Sequence, residues 1–298
     1  MKKTAWEIGI SSTCKKSIHR FVFDEYAKNN VFNMEISLPY TEYDHIDWSA
    51  TKQASKDTGV RLWSIHLPFS PFEINNLASP DIQIRKSTLK MHSELIKKAG
   101  DIGINIAVVH PSGEPNNPDQ REELLKHSTE SLSILAKEGA KAGVTIAVEN
   151  LPRTCLGNCS DEIITLISSD DRLRICFDTN HLLIQKNTDF IKLLGDKIIT
   201  IHVSDYDFLN ERHWLPYEGK NNWIEIVTLL EKANYSGPFM YEVPLEAPPT
   251  IQRRALTLQD FVENFKACIE KRVPEVIGVP NIEACKERAY FQTAKIEA

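Results

Sequence analysis

IAVENLPRT, residues 146–154, runs three apolar residues straight into Glu149 and closes the stretch at Pro152. A short apolar run of this kind, bounded by turn residues, reads as a strand buried on both faces. Gly143 stands just before it. Behind that glycine, Leu124, Leu125, Ser128, Leu132, Leu135 and Ala136 fall on one helical stripe. Helix, glycine stop and buried strand in that order make an αβ unit.

Outward in both directions the pattern repeats. Strands are expected at Trp6–Ile10, Val31–Ile36, Arg61–His66, Asn105–His110, Val144–Glu149, Arg174–Asp178, Ile198–Val203 and Pro238–Val243, with helix-period segments between them. Ser79-Pro80-Asp81 and Asn117-Pro118-Asp119 each set a capping side chain before a proline suited to a helix's first turn. The last helix is expected over Leu258–Ile269. Eight βα units predict an α/β fold, a (β/α)8 TIM barrel forming one domain over residues 1–272. Residues 273–298 read as a C-terminal extension that packs on the barrel or at a subunit interface of a homo-oligomer. A doubly wound sheet would lead from its first strand into a Gly-rich turn, but Gly9-Ile10-Ser11-Ser12 holds no GxGxxG.

Composition narrows the function. Of 298 residues, 42% are hydrophobic and 26% charged, a globular balance, and the net charge of −6 gives no electrostatic footprint for tracking a phosphate backbone. Nucleic acid is therefore not the expected partner. Glu7 and the polar run from Ser11 to Lys16 leave no apolar core behind the basic start, and no stretch approaches the ~20 apolar residues of a membrane span. A cytoplasmic location with no membrane association is expected. Cys155 and Cys159 have no second cysteine pair to complete a zinc knuckle and read as ordinary thiols.

The chemistry lies in what ends the strands. Glu35, His66, His110, Glu149, Asp178, His202 and Glu242 each follow an apolar run directly. In a barrel those ends ring one mouth, so residues spread along most of the chain would meet. Carboxylates gathered at one point repel each other unless a cation sits among them. Glu149, Asp178, His202 and Glu242 are the expected ligands of one divalent ion. Three oxygens and one imidazole suit Mn²⁺, Mg²⁺ or Co²⁺, while further histidines tilt the preference to Zn²⁺. Trp214, in the loop after His213, is expected to stack on a substrate ring.

IAVENLPRT, ICFDTNHLL (175–183), ITIHVSDYD (199–207) and FMYEVP (239–244) resemble the strand ends of the xylose isomerase-like barrel superfamily over roughly residues 5–270. The resemblance implies a metal-dependent sugar isomerase or ketose 3-epimerase, working by proton transfer next to a carbonyl through a metal-stabilised enediolate. Glu149 and Glu242 would then be both metal ligands and the acid/base pair, and His181 would hold a substrate oxygen. The epimerases place an arginine soon after the strand-seven histidine. Here Phe208 has the nearest spacing, and Arg212 comes later.

The same residues support an alternative. His66, His110, Glu149, Asp178, His181, His202, Glu211, His213 and Glu242 resemble the nine ligands of the apurinic endonuclease branch, which would hold up to three Zn²⁺ for phosphodiester hydrolysis. Glu211 replaces that branch's usual Asp, and HWLPYEG (213–219) reads like the sugar branch. The two readings differ in whether His66, His110, His181, Glu211 and His213 bind further metals or, with Trp214, the hydroxyls of a sugar.

Overall fold

The computed structural model describes residues 6–286. Eight strands, β1 (Ile8–Ser11), β2 (Asn33–Ile36), β3 (Arg61–His66), β4 (Ile106–Val109), β5 (Thr145–Glu149), β6 (Arg174–Asp178), β7 (Ile198–Val203) and β8 (Phe239–Tyr241), form one closed parallel barrel in sequence order. The ring closes where Ile8, Gly9 and Ile10 pair with Phe239, Met240 and Tyr241. Around it lie α1 (Arg20–Lys28), α2 (Trp48–Thr58), α3 (Ile82–Asp101), α4 (Arg121–Ala142), α5 (Ser160–Ile167), α6 (Asn187–Leu194), α7 (Trp223–Lys232) and α8 (Leu258–Ile269). Each expected strand is present, with ends moved by a few residues. Among the described residues no helix is long and apolar enough to cross a membrane.

Side chains alternate along a strand, so every second residue enters the barrel. Ala107, Val109, Ile146, Val148, Ile175 and Phe177 join the main core under the helices, whereas Ile106, Val108, Ala147 and Cys176 form a separate inner cluster. Continued upward, the inward phase reaches Glu149 on β5 and Asp178 on β6. Two bulges adjust that phase elsewhere. Met34 pairs with Leu62 and Glu35 with Ser64, which leaves Trp63 over; Ile175 pairs with Ile198 and Cys176 with Thr200, which leaves Ile199 over. Trp63 and Ile199 both pack on the inner cluster, and Trp63 Nε1 donates to Thr200 Oγ1 at 3.2 Å. Below each bulge Leu62 and Ile198 face the outer core, and above it Ile65 and Ile201 do so again. Because the bulge absorbs the extra residue, His66 and His202 point inward although Leu62 and Ile198, four residues before them, point out.

Helix ends follow local chemistry. Gly143 ends α4 at φ 70, the left-handed conformation that glycine adopts without a Cβ penalty. The Ser79-Pro80-Asp81 expectation needs correcting: Asp81 is the cap, accepting from Gln83 N, and Pro80 lies outside the helix. Asn117 caps a short 3-10 turn, Pro118–Gln120, that leads into α4. Trp6 lies at the base against Tyr235 and Phe239, away from the mouth. All six cysteines are free.

After α8 the chain returns to the mouth. There β10 (Val279–Pro280) pairs antiparallel with β9 (Ile251–Gln252), a short strand in the loop between β8 and α8. Cys285 packs with Trp214 and Ile251. The end of the extension, 287–298, lies outside the described residues.

His92 on α3 is 3% exposed; its Nε2 donates to Pro68 O at 2.9 Å, and its Nδ1 has no partner. Burial lowers its pKa to about 4, so the folded state resists a proton that the unfolded chain takes up near 6.5. This depressed value costs no stability above 6.5, and stability falls as pH drops from 6.5 toward 4. Urea unfolding at pH 7 and pH 5 should show wild type losing about 2 kcal/mol more than His92→Gln between the two.

Candidate active site

His202 occupies the middle of the mouth. Its Nδ1 lies 3.1 Å from both Glu149 Oε1 and Glu242 Oε2, and its Nε2 lies 3.1 Å from Glu35 Oε2. Asp178 Oδ2 is 3.9 Å from the same Nδ1. One ligand atom from each of Glu149, Asp178, His202 and Glu242 lies within 4.8 Å of the others. The expected quartet is therefore brought together, by strands β5, β6 and β7 and the residue just past β8.

Strand-to-strand bonds fix these side chains. Asn150 Nδ2 donates to Asp178 O at 2.9 Å, and Asp178 N donates back to Asn150 Oδ1 at 2.8 Å. Asp178 Oδ1 accepts from Asn180 N at 2.6 Å, while its Oδ2 is buried with no hydrogen-bond partner. An orphaned carboxylate oxygen among two further carboxylates and an imidazole is a donor set suited to a divalent cation. Burial pushes Asp178 up to about 6. Burial opposes ionisation of Glu242 too, but His202 draws it down to about 2 and holds Glu149 well below the usual carboxylate range. The same carboxylates keep the His202 imidazolium charged against the cost of burial.

Glu35, fully buried, also accepts from Ser64 Oγ at 2.8 Å. A carboxylate behind a histidine fixes the ring's orientation and raises its basicity. Its signal was available in the sequence, where Glu35 ends an apolar run like the others.

Three further histidines at the mouth share one arrangement. His66 Nδ1 donates to Leu67 O, His181 Nδ1 to Asn150 O and His213 Nδ1 to Glu242 O, at 2.9, 2.9 and 3.1 Å. Each Nε2 is thereby turned toward a carboxylate. His66 and His110 both reach Glu149 Oε2, at 3.0 and 3.2 Å, and His181 and His213 face Glu211 Oε2 at 3.3 and 4.0 Å. Burial works against charge on His181, yet Asp178 and Glu211 carry it up to about 10.

These groups line a cavity of about 240 Å³, with Phe69, Phe72, Glu114, Arg153 and Cys155 completing the wall. Phe69 stacks on His110 with centroids 4.1 Å apart and is 38% exposed. The expectation for Trp214 is corrected: it is 1% exposed, donates from Nε1 to Thr250 Oγ1 at 3.0 Å, and packs under the loops where no substrate reaches it. Arg212 is buried on Asp207 at 2.8 Å and also donates to Cys285 O. Phe208 lines a separate cavity beside α6.

The loop between β7 and α7 is gathered by Asp205, whose carboxylate accepts from the N–H groups of Tyr206, Tyr217 and Asn221 and from Trp223 Nε1, at 2.7–3.1 Å.

Residues 26–264 match the family described as the xylose isomerase-like TIM barrel. The chain belongs to this family. An uncharacterised protein of Methanocaldococcus jannaschii is 28% identical over 187 residues, which span 60% of this chain and 63% of that one. D-psicose 3-epimerase of Ruminiclostridium cellulolyticum is 23% identical over 75% of this chain and 78% of its own. A probable endonuclease 4 of Acholeplasma laidlawii is 28% identical over 43% of this chain and 44% of its own. The crystal structure of a D-tagatose 3-epimerase-like protein superposes with a TM-score of 0.74 at 22% identity, covering 89% of this chain and 99% of that one. Both branches anticipated from the strand ends are thus represented among relatives within the family.

Asp205→Ala would leave three buried N–H groups and the half-buried one of Tyr217 without their acceptor. It should lower unfolding stability in urea by about 3–5 kcal/mol. A loss within ~0.5 kcal/mol would show that the loop is held by other contacts.

Proposed function

We propose that the protein is a divalent-metal-dependent sugar isomerase or epimerase that moves a proton at a carbon next to a carbonyl. One observation carries the reading. Glu149 and Glu242, three strands apart, both meet His202 Nδ1 at 3.1 Å and both line the same small cavity. D-psicose 3-epimerase as a relative supports this substrate class.

Glu149, Asp178, His202 and Glu242 would hold the ion, whose chemistry when bound is to polarise the substrate carbonyl and make the adjacent proton more acidic. Held ionised by their neighbours, Glu149 and Glu242 are ready to accept that proton. In epimerisation one carboxylate accepts it on one face and the other delivers one on the opposite face, so the pair exchanges protonation with each turnover. Isomerisation needs only one of them. His181, anchored to Asn150 O, would hold a substrate oxygen. Phe69 offers an apolar face to the sugar ring beside His66 and His110.

In deuterated water with Mn²⁺ and a panel of ketoses, mass spectrometry should find deuterium at a carbon-bound position. Glu149→Gln and Glu242→Gln should each slow that exchange about 10²–10⁴-fold. No exchange with any ketose would count against the reading. Glu35→Gln should weaken metal binding about 10–100-fold, while exchange at saturating metal stays near wild type. Unchanged affinity would remove Glu35 from the support of His202.

A second reading, phosphodiester hydrolysis with up to three Zn²⁺, is favoured by the backbone-anchored histidines His66, His181 and His213, whose Nε2 atoms all face carboxylates. Metal content separates the two. Three zinc ions per chain, lost stepwise in His66→Ala and His213→Ala, would support hydrolysis; one ion retained in both variants supports sugar chemistry.

A further inference from the structure

The wall of the same cavity carries a second polar cluster. Arg153 Nε donates to Glu114 Oε2 at 2.9 Å and its Nη2 also meets that carboxylate; Nη1 donates to Glu211 Oε1 at 2.7 Å and Asn210 Oδ1 at 2.9 Å. A guanidinium has five N–H donors, and these contacts engage four of them. Arg153 has φ 51, a left-handed conformation that is costly for a residue with a Cβ, and Asn158 Nδ2 holds its carbonyl at 2.8 Å. Glu114 precedes α4, Arg153 precedes α5 and Glu211 precedes α7, so the bridge ties three loops. Glu114, Arg153 and Glu211 all line the cavity and offer it carboxylate lone pairs, with Glu211 Oε2 also facing His181 Nε2 at 3.3 Å.

We propose that the Glu114–Arg153–Glu211 bridge is the subsite for the distal hydroxyls of the substrate and selects an uncharged ketose over its phosphate ester. The proposal rests on the reading of the cavity as a sugar site and adds its substrate class. Hydroxyl groups donate to Glu114 and Glu211 without disturbing the bridge. A phosphate would meet two carboxylates, and the arginine that could receive it is already engaged by both. Lys16 stands in an adjoining cavity, on an exposed side chain.

Calorimetric titration of the Mn²⁺-loaded protein with D-fructose and D-tagatose, and with the 6-phosphate of each, tests this. Wild type should bind a free ketose at least tenfold more tightly than its phosphate. Glu114→Gln releases one side of Arg153 and should move that ratio at least tenfold toward the ester; adding Arg153→Met should cancel the shift. Equal or tighter binding of the ester by wild type, or a ratio unchanged in Glu114→Gln, overturns the proposal, as does binding of neither sugar form. The wild-type ratio decides by itself should the variants not fold. Deuterium exchange with a ketose alongside preferred ester binding would overturn the subsite alone. Absence of both exchange and binding would remove the sugar reading with it.

Discussion

His202 holds an imidazole between Glu35 on one edge and Glu149 and Glu242 on the other, with Asp178 close by. Such a concentration of buried charge is tolerable only if every member is aimed at an opposite charge or a donor. The barrel provides that aim. Its strands supply one inward side chain per level, its closure brings β8 back to β1, and the Asn150–Asp178 reciprocal bonds fix the height of β5 against β6. The outer core of aliphatic and aromatic residues holds the strands, and the strands hold the charges.

The strands and the quartet were legible because both depend on local pattern. A buried strand is a short apolar run, and its last residue is the one that reaches the mouth. His181 and His213 were legible through the motifs around them. Trp214 was misread because an aromatic residue in a polar loop looks exposed, whereas its cover comes from Thr250, Ile251 and Cys285, which are distant in sequence. The extension likewise carried no sign of its destination. Arg153 lay within the quoted IAVENLPRT, but its partners Glu114 and Glu211 stand 39 and 58 positions away, and no periodicity links them. Glu35 was visible as a strand end, while its position behind His202 depends on barrel closure.

The mouth loops are joined to each other more than to solvent. Asp205 organises the loop before α7, and Arg153 joins it to the loops before α4 and α5. The extension enters the same assembly, since a Cβ at Gly278 would collide with the Glu218 carboxylate, which itself faces Arg253 of the loop before α8 at 3.4 Å. The walls around the cavity are therefore coupled, and a substrate group that displaced one carboxylate would disturb several connections.

The two bulges bear on how such a site tolerates change in length. Trp63 and Ile199 are each an extra residue in a two-beat count, absorbed by the bulge so that the strand before it and the histidine three residues beyond keep their faces. Loss of either residue would restore the plain alternation, with Leu62 or Ile198 still facing the helices and His66 or His202 still facing inward, but the inner cluster would lose the side chain packed on it. The bulges thus give β3 and β7 one residue of slack beneath the centre, which a plain two-residue repeat does not have.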